Sequence, residues 1–119
     1  MRKLRRGDLV YIDLGQHPHS SVQSGVRPCI VISSDLNNRY SPTVNVCPCT
    51  SKLKKIDLPV HTVIVPDQVR GYMEKSSLVL GEQIVTVDKR KIIAKLGYIP
   101  ADSNVMKQID MAIRKQLAV

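Results

Sequence analysis

The sequence predicts an α+β fold: a small, strongly curved, barrel-like antiparallel sheet with one covering helix at the C-terminus. Three observations predict it. Apolar residues make up 43% of 119 residues, with no Phe and no Trp. The core must then be built largely from Val, Ile and Leu, which suit a pleated surface. Those residues fall in short runs of strand length, divided by polar stretches carrying Gly and Pro. Only the C-terminal segment repeats its apolar residues at helical spacing. The length suits one domain, residues 1–119, rather than two.

Each element has its own signal. Asp8 to Leu14, DLVYIDL, follows Gly7 and reads as the first strand. Residues 15–25, GQHPHSSVQSG, are a loop by composition. Pro28 to Ser33, PCIVIS, is a continuous apolar run of the kind a central strand shows. Pro28 has no N–H and is expected at that strand's first position, and it biases Arg27 toward extended backbone. Residues 35–42, DLNNRYSP, read as a second polar loop, and 43–50, TVNVCPCT, as a strand whose Pro48 implies an edge position or a bulge.

The three lysines of SKLKKIDL, residues 51–58, mark a basic connection, and PVHTVIVP, residues 59–66, is the next strand. DQVRGYMEKS is a loop around Gly71. SLVLGEQIVTVD, residues 77–88, is one long or bulged strand with its bend at Gly81. Asp88 can cap a helical turn, KRKIIAKL, that stops at Gly97. After a cap at Asp102 or Ser103, Val105, Ile109, Ile113 and Leu117 recur every fourth residue, with Met106 and Ala112 beside them. Lys107, Asp110, Arg114 and Lys115 cover the other face, which makes this an amphipathic helix packed on the sheet.

Composition narrows the function. Eighteen Lys and Arg against ten Asp and Glu give a formal charge of +8, which points to an anionic partner, either nucleic acid or an acidic protein segment. No run approaches the ~20 apolar residues of a membrane helix. The basic start, MRKLRRGDLVYIDLG, is interrupted by Asp8 and Asp13 and so lacks the uncharged core of a signal peptide. Cys29, Cys47 and Cys49 lie in apolar stretches and read as reduced, buried thiols of a cytoplasmic protein. Cys47 and Cys49 with His61 would make a poor ligand set, so no metal is expected. No phosphate-binding glycine loop, HExxH or GxSxG is present. His17, His19 and His61 have no motif spacing.

Two strand ends attract attention together: Arg27 enters one strand and Thr50-Ser51 leaves another. If those strands are antiparallel neighbours, a guanidinium and two hydroxyls share one end of the sheet. Arginine suits a phosphate because its planar fork donates paired hydrogen bonds and keeps its charge. Ser21 and Gln23 add donors from the preceding loop, and Glu82 and Gln83 add a carboxylate and an amide after Gly81. Tyr40 and Tyr72 are candidates for stacking on bases. Taken one at a time, these residues also fit a solvated arginine, a capping threonine and an edge glutamate.

The segments RRGDLVYIDLG, QSGVRPCIVIS, NNRYSPTVNVCPCTS, LPVHT and GEQIVTVDK, in that order, resemble the MazF/PemK family of bacterial toxins over residues 5 to about 117. The resemblance implies an SH3-like curved sheet with a C-terminal helix (the CcdB/PemK-like architecture) and a homodimer. It implies a sequence-specific endoribonuclease that cuts single-stranded RNA, mRNA included, with no metal or other cofactor. It implies a cognate acidic antitoxin, MazE-like, that lays its tail across the RNA groove. The family's catalytic arginine and threonine fall on Arg27 and Thr50, and its substrate contacts on Ser21, Gln23, Ser51, Glu82 and Gln83. Three departures stand out: Val22-Gln23 where many relatives have Glu-Gln, Val85 where many have arginine, and Cys47-Pro48-Cys49 in place of an alanine-rich stretch. The alternative is a non-catalytic module on the same fold that grips RNA or a protein, as the related gyrase-poisoning toxins do.

Overall fold

The computed structural model describes residues 3–119. Eight strands form it: β1 (Asp8–Asp13), β2 (Val26–Val31), β3 (Thr43–Thr50), β4 (His61–Ile64), β5 (Arg70–Gly71), β6 (Ser77–Leu80), β7 (Val85–Asp88) and β8 (Ile92–Tyr98). A short helix α1 (Asp35–Tyr40) precedes β3, and α2 (Asn104–Leu117) ends the chain. All pairings are antiparallel, in the order β4-β6-β3-β2-β1-β8-β5, with β7 also on β3. The α+β, curved antiparallel sheet with its terminal helix is the architecture expected.

The continuous apolar run in β2 has a direct cause: both faces of β1, β2 and β3 are covered. Alternate residues go to two cores. Leu9, Ile30, Cys47 and Cys49 pack with Val79, Ile99 and the α2 residues Val105, Met106 and Ile109. Val10, Ile12, Cys29, Val31, Val44 and Val46 pack with Val87 and Ile92 inside the curl of the sheet. All three cysteines are free and buried, and Cys47 and Cys49 share one face. Burial pushes the Cys29 and Cys47 thiols up to about 12 and the Cys49 thiol well above its ordinary value.

Pro48 is neither at an edge nor in a bulge. It pairs with Cys29 of β2 on one side. On the other side β3 changes neighbours, pairing with β7 through Val46 and with β6 from Cys49. Pro48 therefore sits in the gap between two ladders, where a missing N–H breaks no pair. The predicted strand 77–88 is accordingly two strands, split at a 3₁₀ turn over Gly81–Gln83. A Cβ on Gly81 would stand 2.5 Å from the Val60 carbonyl oxygen, so the split is built around that glycine.

Other expectations shift. Residues 35–40 of the predicted loop are helical, capped by the Ser34 side chain. Pro28 is third in β2, not first, and the ladder to β3 begins only at Cys29. The strand expected over 59–66 covers 61–64. The helical turn expected over KRKIIAKL survives only as a 3₁₀ turn at 89–91, where the Asp88 carboxylate accepts the Arg90 N–H at 2.8 Å. Ile92–Tyr98 is instead strand β8, paired with β1. Tertiary contacts decide this: Ile92 enters the inner core, and the Lys95 Nζ stands 3.2 Å from a carboxylate oxygen of the fully buried Asp8. Asp8 also accepts the Arg5 N–H at 2.8 Å, so its charge is both paired and hydrogen-bonded.

Helix α2 is capped by Ser103, whose hydroxyl accepts the Met106 N–H at 3.2 Å. It buries Val105, Met106, Ile109 and Ala112, while Leu117 is exposed. Arg6 fixes its orientation, donating to the Ile32 carbonyl and pairing with Asp110 at 2.7 Å. Among the described residues no helix is long and apolar enough to cross a membrane.

Candidate functional site

The antiparallel pairing of β2 and β3 puts the entrance of one beside the exit of the other. Their last pair is Cys29 with Pro48; two residues farther on stand Arg27 and Thr50, at one end of the sheet. Arg27 is held on the other side by β1, where it pairs with Ile12. Its Nε donates to the Ser24 carbonyl at 3.1 Å, which aims the side chain from the loop end. Among the described residues no carboxylate lies within ion-pair distance of its guanidinium. A fixed cation with its terminal nitrogens uncommitted is what an oxyanion requires.

Thr50 pairs with Leu78 of β6, and its Oγ1 accepts the Lys52 N–H at 3.2 Å. The hydroxyl hydrogen remains for another acceptor. Arg27 and Ser51 line one open hollow of about 470 Å³, together with Tyr11, Tyr72, Glu74 and Lys75. Thr50 does not line that hollow. The sequence reading missed Glu74 and Lys75, because the segment 72–75 has only a loop-like composition and is brought to the site by the short strand β5 before it, which pairs with β8.

The second group of predicted residues has a different role. Gln83 Oε1 accepts the Gln23 N–H at 2.7 Å, and Gln83 Nε2 donates to the Ser21 carbonyl at 3.2 Å. Both ends of the Gln83 amide are thus spent on holding the 15–25 loop. Gln23 and Gln83 line a second hollow of about 340 Å³ with Pro48, Val85 and Thr86. The Gln23 Oε1 is buried there with no partner among the described residues, an acceptor left open. Val85 pairs with Val46 and packs on the inner core, so no arginine charge reaches Gln83 from that position.

Glu82 is bonded elsewhere, to His61 Nε2 at 2.6 Å. His17 Nε2 donates to the Leu14 carbonyl oxygen at 2.9 Å. Tyr72 is exposed beside Arg27, as stacking would need. Tyr40 is exposed too but stands away from Arg27, lining a hollow of about 840 Å³ on the α1 side with none of the other predicted site residues. Among the described residues no group of three His, Cys, Asp or Glu is placed to hold a metal ion.

Known proteins match this chain along nearly its whole length. Residues 5–117 match the family described as PemK-like, MazF-like toxin of type II toxin-antitoxin system. The chain is 38% identical over 116 residues to Endoribonuclease EndoA of Bacillus subtilis (strain 168), covering 98% of this chain and 96% of that protein. A crystal structure of MazF from Deinococcus radiodurans superposes with a TM-score of 0.80 at 23% identity, with 100% of both chains covered. An endoribonuclease in complex with its cognate antitoxin, from a mycobacterial species, superposes at 0.75 with 21% identity, covering 100% of this chain and 97% of that one. At these identities the two structures speak for the fold.

Proposed function

The chain belongs to the PemK-like, MazF-like family of type II toxin–antitoxin toxins, and we propose that it cuts single-stranded RNA at Arg27 and Thr50 without a metal ion. It is an endoribonuclease toxin, and a cognate antitoxin is its partner. The observation that carries the mechanism is the position of Arg27: a guanidinium with no carboxylate partner among the described residues, fixed by Ser24, two residues past the end of the β2–β3 ladder and level with Thr50.

In the proposed step the 2′-oxygen attacks the adjacent phosphorus and gives up its proton. The bond to the 5′-oxygen breaks, and that oxygen takes a proton, leaving a 2′,3′-cyclic phosphate and a 5′-hydroxyl. Charge builds on the non-bridging oxygens in between, and paired donors from Arg27 stabilise it. A guanidinium keeps its proton far above neutral pH, which makes Arg27 a poor base. Thr50 orients the phosphate with its remaining hydroxyl hydrogen. Glu74, in the same hollow as Arg27, is the carboxylate this reading offers for the 2′-proton. Ser51 and Tyr72 hold the nucleotide, and Ser21, Gln23, Glu82 and Gln83 form the part that reads or frames its bases. We place the protein in the cytoplasm as a homodimer, with an acidic antitoxin segment competing for the basic surface.

The test is a long single-stranded RNA incubated with purified protein in excess EDTA. Discrete fragments with 5′-hydroxyl ends are expected, and none with Arg27→Ala at unchanged thermal stability. RNA left whole by the unsubstituted protein would favour a module that binds without cutting.

A further inference from the structure

His61 has a hydrogen-bonding arrangement that fixes its protons. Its side chain is 6% exposed, its Nδ1 is 2.8 Å from the Lys55 carbonyl oxygen, and its Nε2 is 2.6 Å from Glu82 Oε2. A carbonyl oxygen can only accept, so Nδ1 carries hydrogen. The second bond then needs one more proton, either on Nε2 or on the carboxyl group. Without it, two lone pairs would face each other at 2.6 Å. The pair is satisfied only in its proton-loaded form, with net charge zero.

This link joins three parts of the chain. His61 opens β4, where it pairs with Leu80 of β6, two residues before Glu82. Lys55 lies in the basic 51–58 segment that begins right after Thr50, and it has a positive φ of 55°. Glu82 uses one carboxylate oxygen for His61 and keeps the other, with the side chain 35% exposed. A carboxylate held in this way offers a fixed acceptor to an amino group on a base, such as that of adenine or cytosine.

Resting on the nuclease reading above, we infer that His61 is a positioning residue for substrate choice. It ties the Glu82 carboxylate to the segment after Thr50, so that the free Glu82 oxygen reads an amino-bearing base at a fixed distance from the cut. His61 is bonded to Glu82 from the turn after β6 and to the Lys55 carbonyl, and it lines one hollow with Lys115 of α2.

The experiment uses two substitutions that divide the imidazole. His61→Asn keeps a donor near the Nδ1 position and drops the Glu82 bond; His61→Gln keeps a donor near Nε2. With an RNA pool and end sequencing, His61→Asn is expected to relax base choice at one position and to lower kcat/KM roughly 10- to 100-fold there. His61→Gln keeps the Glu82 bond and is expected to keep the choice. His61→Asn with Glu82→Ala should be no worse than Glu82→Ala alone. Trypsin should cut native protein slowly at Lys52, Lys54 and Lys55, and faster in His61→Gln, which gives up the donor to the Lys55 carbonyl. Unchanged base choice in His61→Asn, with the unsubstituted protein cutting normally, would overturn the inference. If the unsubstituted protein leaves RNA intact, the nuclease reading and the role in substrate choice both fail, while the trypsin result still reads the clamp.

Discussion

The side-chain oxygen of Gln83 accepts the backbone N–H of Gln23 at 2.7 Å, joining the turn after β6 to the loop that precedes Arg27. With the Nε2 bond to the Ser21 carbonyl, one amide side chain satisfies two backbone groups of a loop that is otherwise largely exposed. Gln83 therefore acts on the site through the loop it holds.

Removing it tests that assignment. Gln83→Ala should lose about 1–2 kcal/mol of local stability and let the Gln23 amide exchange with solvent faster, by hydrogen exchange. Cleavage should fall roughly tenfold. Gln83→Glu keeps the acceptor for Gln23 and loses the donor to Ser21, so it should fall between. Normal exchange at Gln23 in Gln83→Ala would contradict the role.

Charge alone does not replace the guanidinium. Arg27→Lys keeps the cation but loses the planar fork and the Nε bond to Ser24. The expected loss is roughly 10²- to 10³-fold in kcat, as for removal of an oxyanion donor, with RNA affinity at low salt close to that of the unsubstituted protein. Single-turnover cleavage beside a binding titration separates the two quantities.

The cysteines set an alkaline limit on the fold. Their folded values, about 12 for Cys29 and Cys47, lie above the ordinary 9.0 of the unfolded chain. In that window the unfolded chain binds fewer protons than the native one, so stability present below pH 9 is lost as pH rises toward 12. Chemical denaturation at pH 8, 9.5 and 10.5 should show decreasing midpoints. At pH 8 iodoacetamide should label all three thiols in urea and none in native protein.

Much of this was legible in the sequence. The apolar run after Arg27 and the strand ending at Thr50 located one end of the sheet, because local composition and a fixed proline mark those strands. The period of α2 was plain for the same reason. Strand β8 was not, since IIAKLGY becomes a strand only by pairing with β1 around Asp8. His61 and Glu82 are 21 residues apart and meet because β4 pairs with β6, a relation no local pattern carries. The doubled role of Gln83 was hidden too: its partners are 60 and 62 positions away.

The change of neighbours at Pro48 leaves a lasting mark on how this protein can vary. The first half of β3 is locked to β7 and the last two residues to β6 alone. A lengthened or rewritten stretch between β3 and β6 would thus re-aim Thr50 while the inner core around Val44 and Val46 stayed as it was. One strand carries an inheritance and a licence to diverge, divided at a single imino acid.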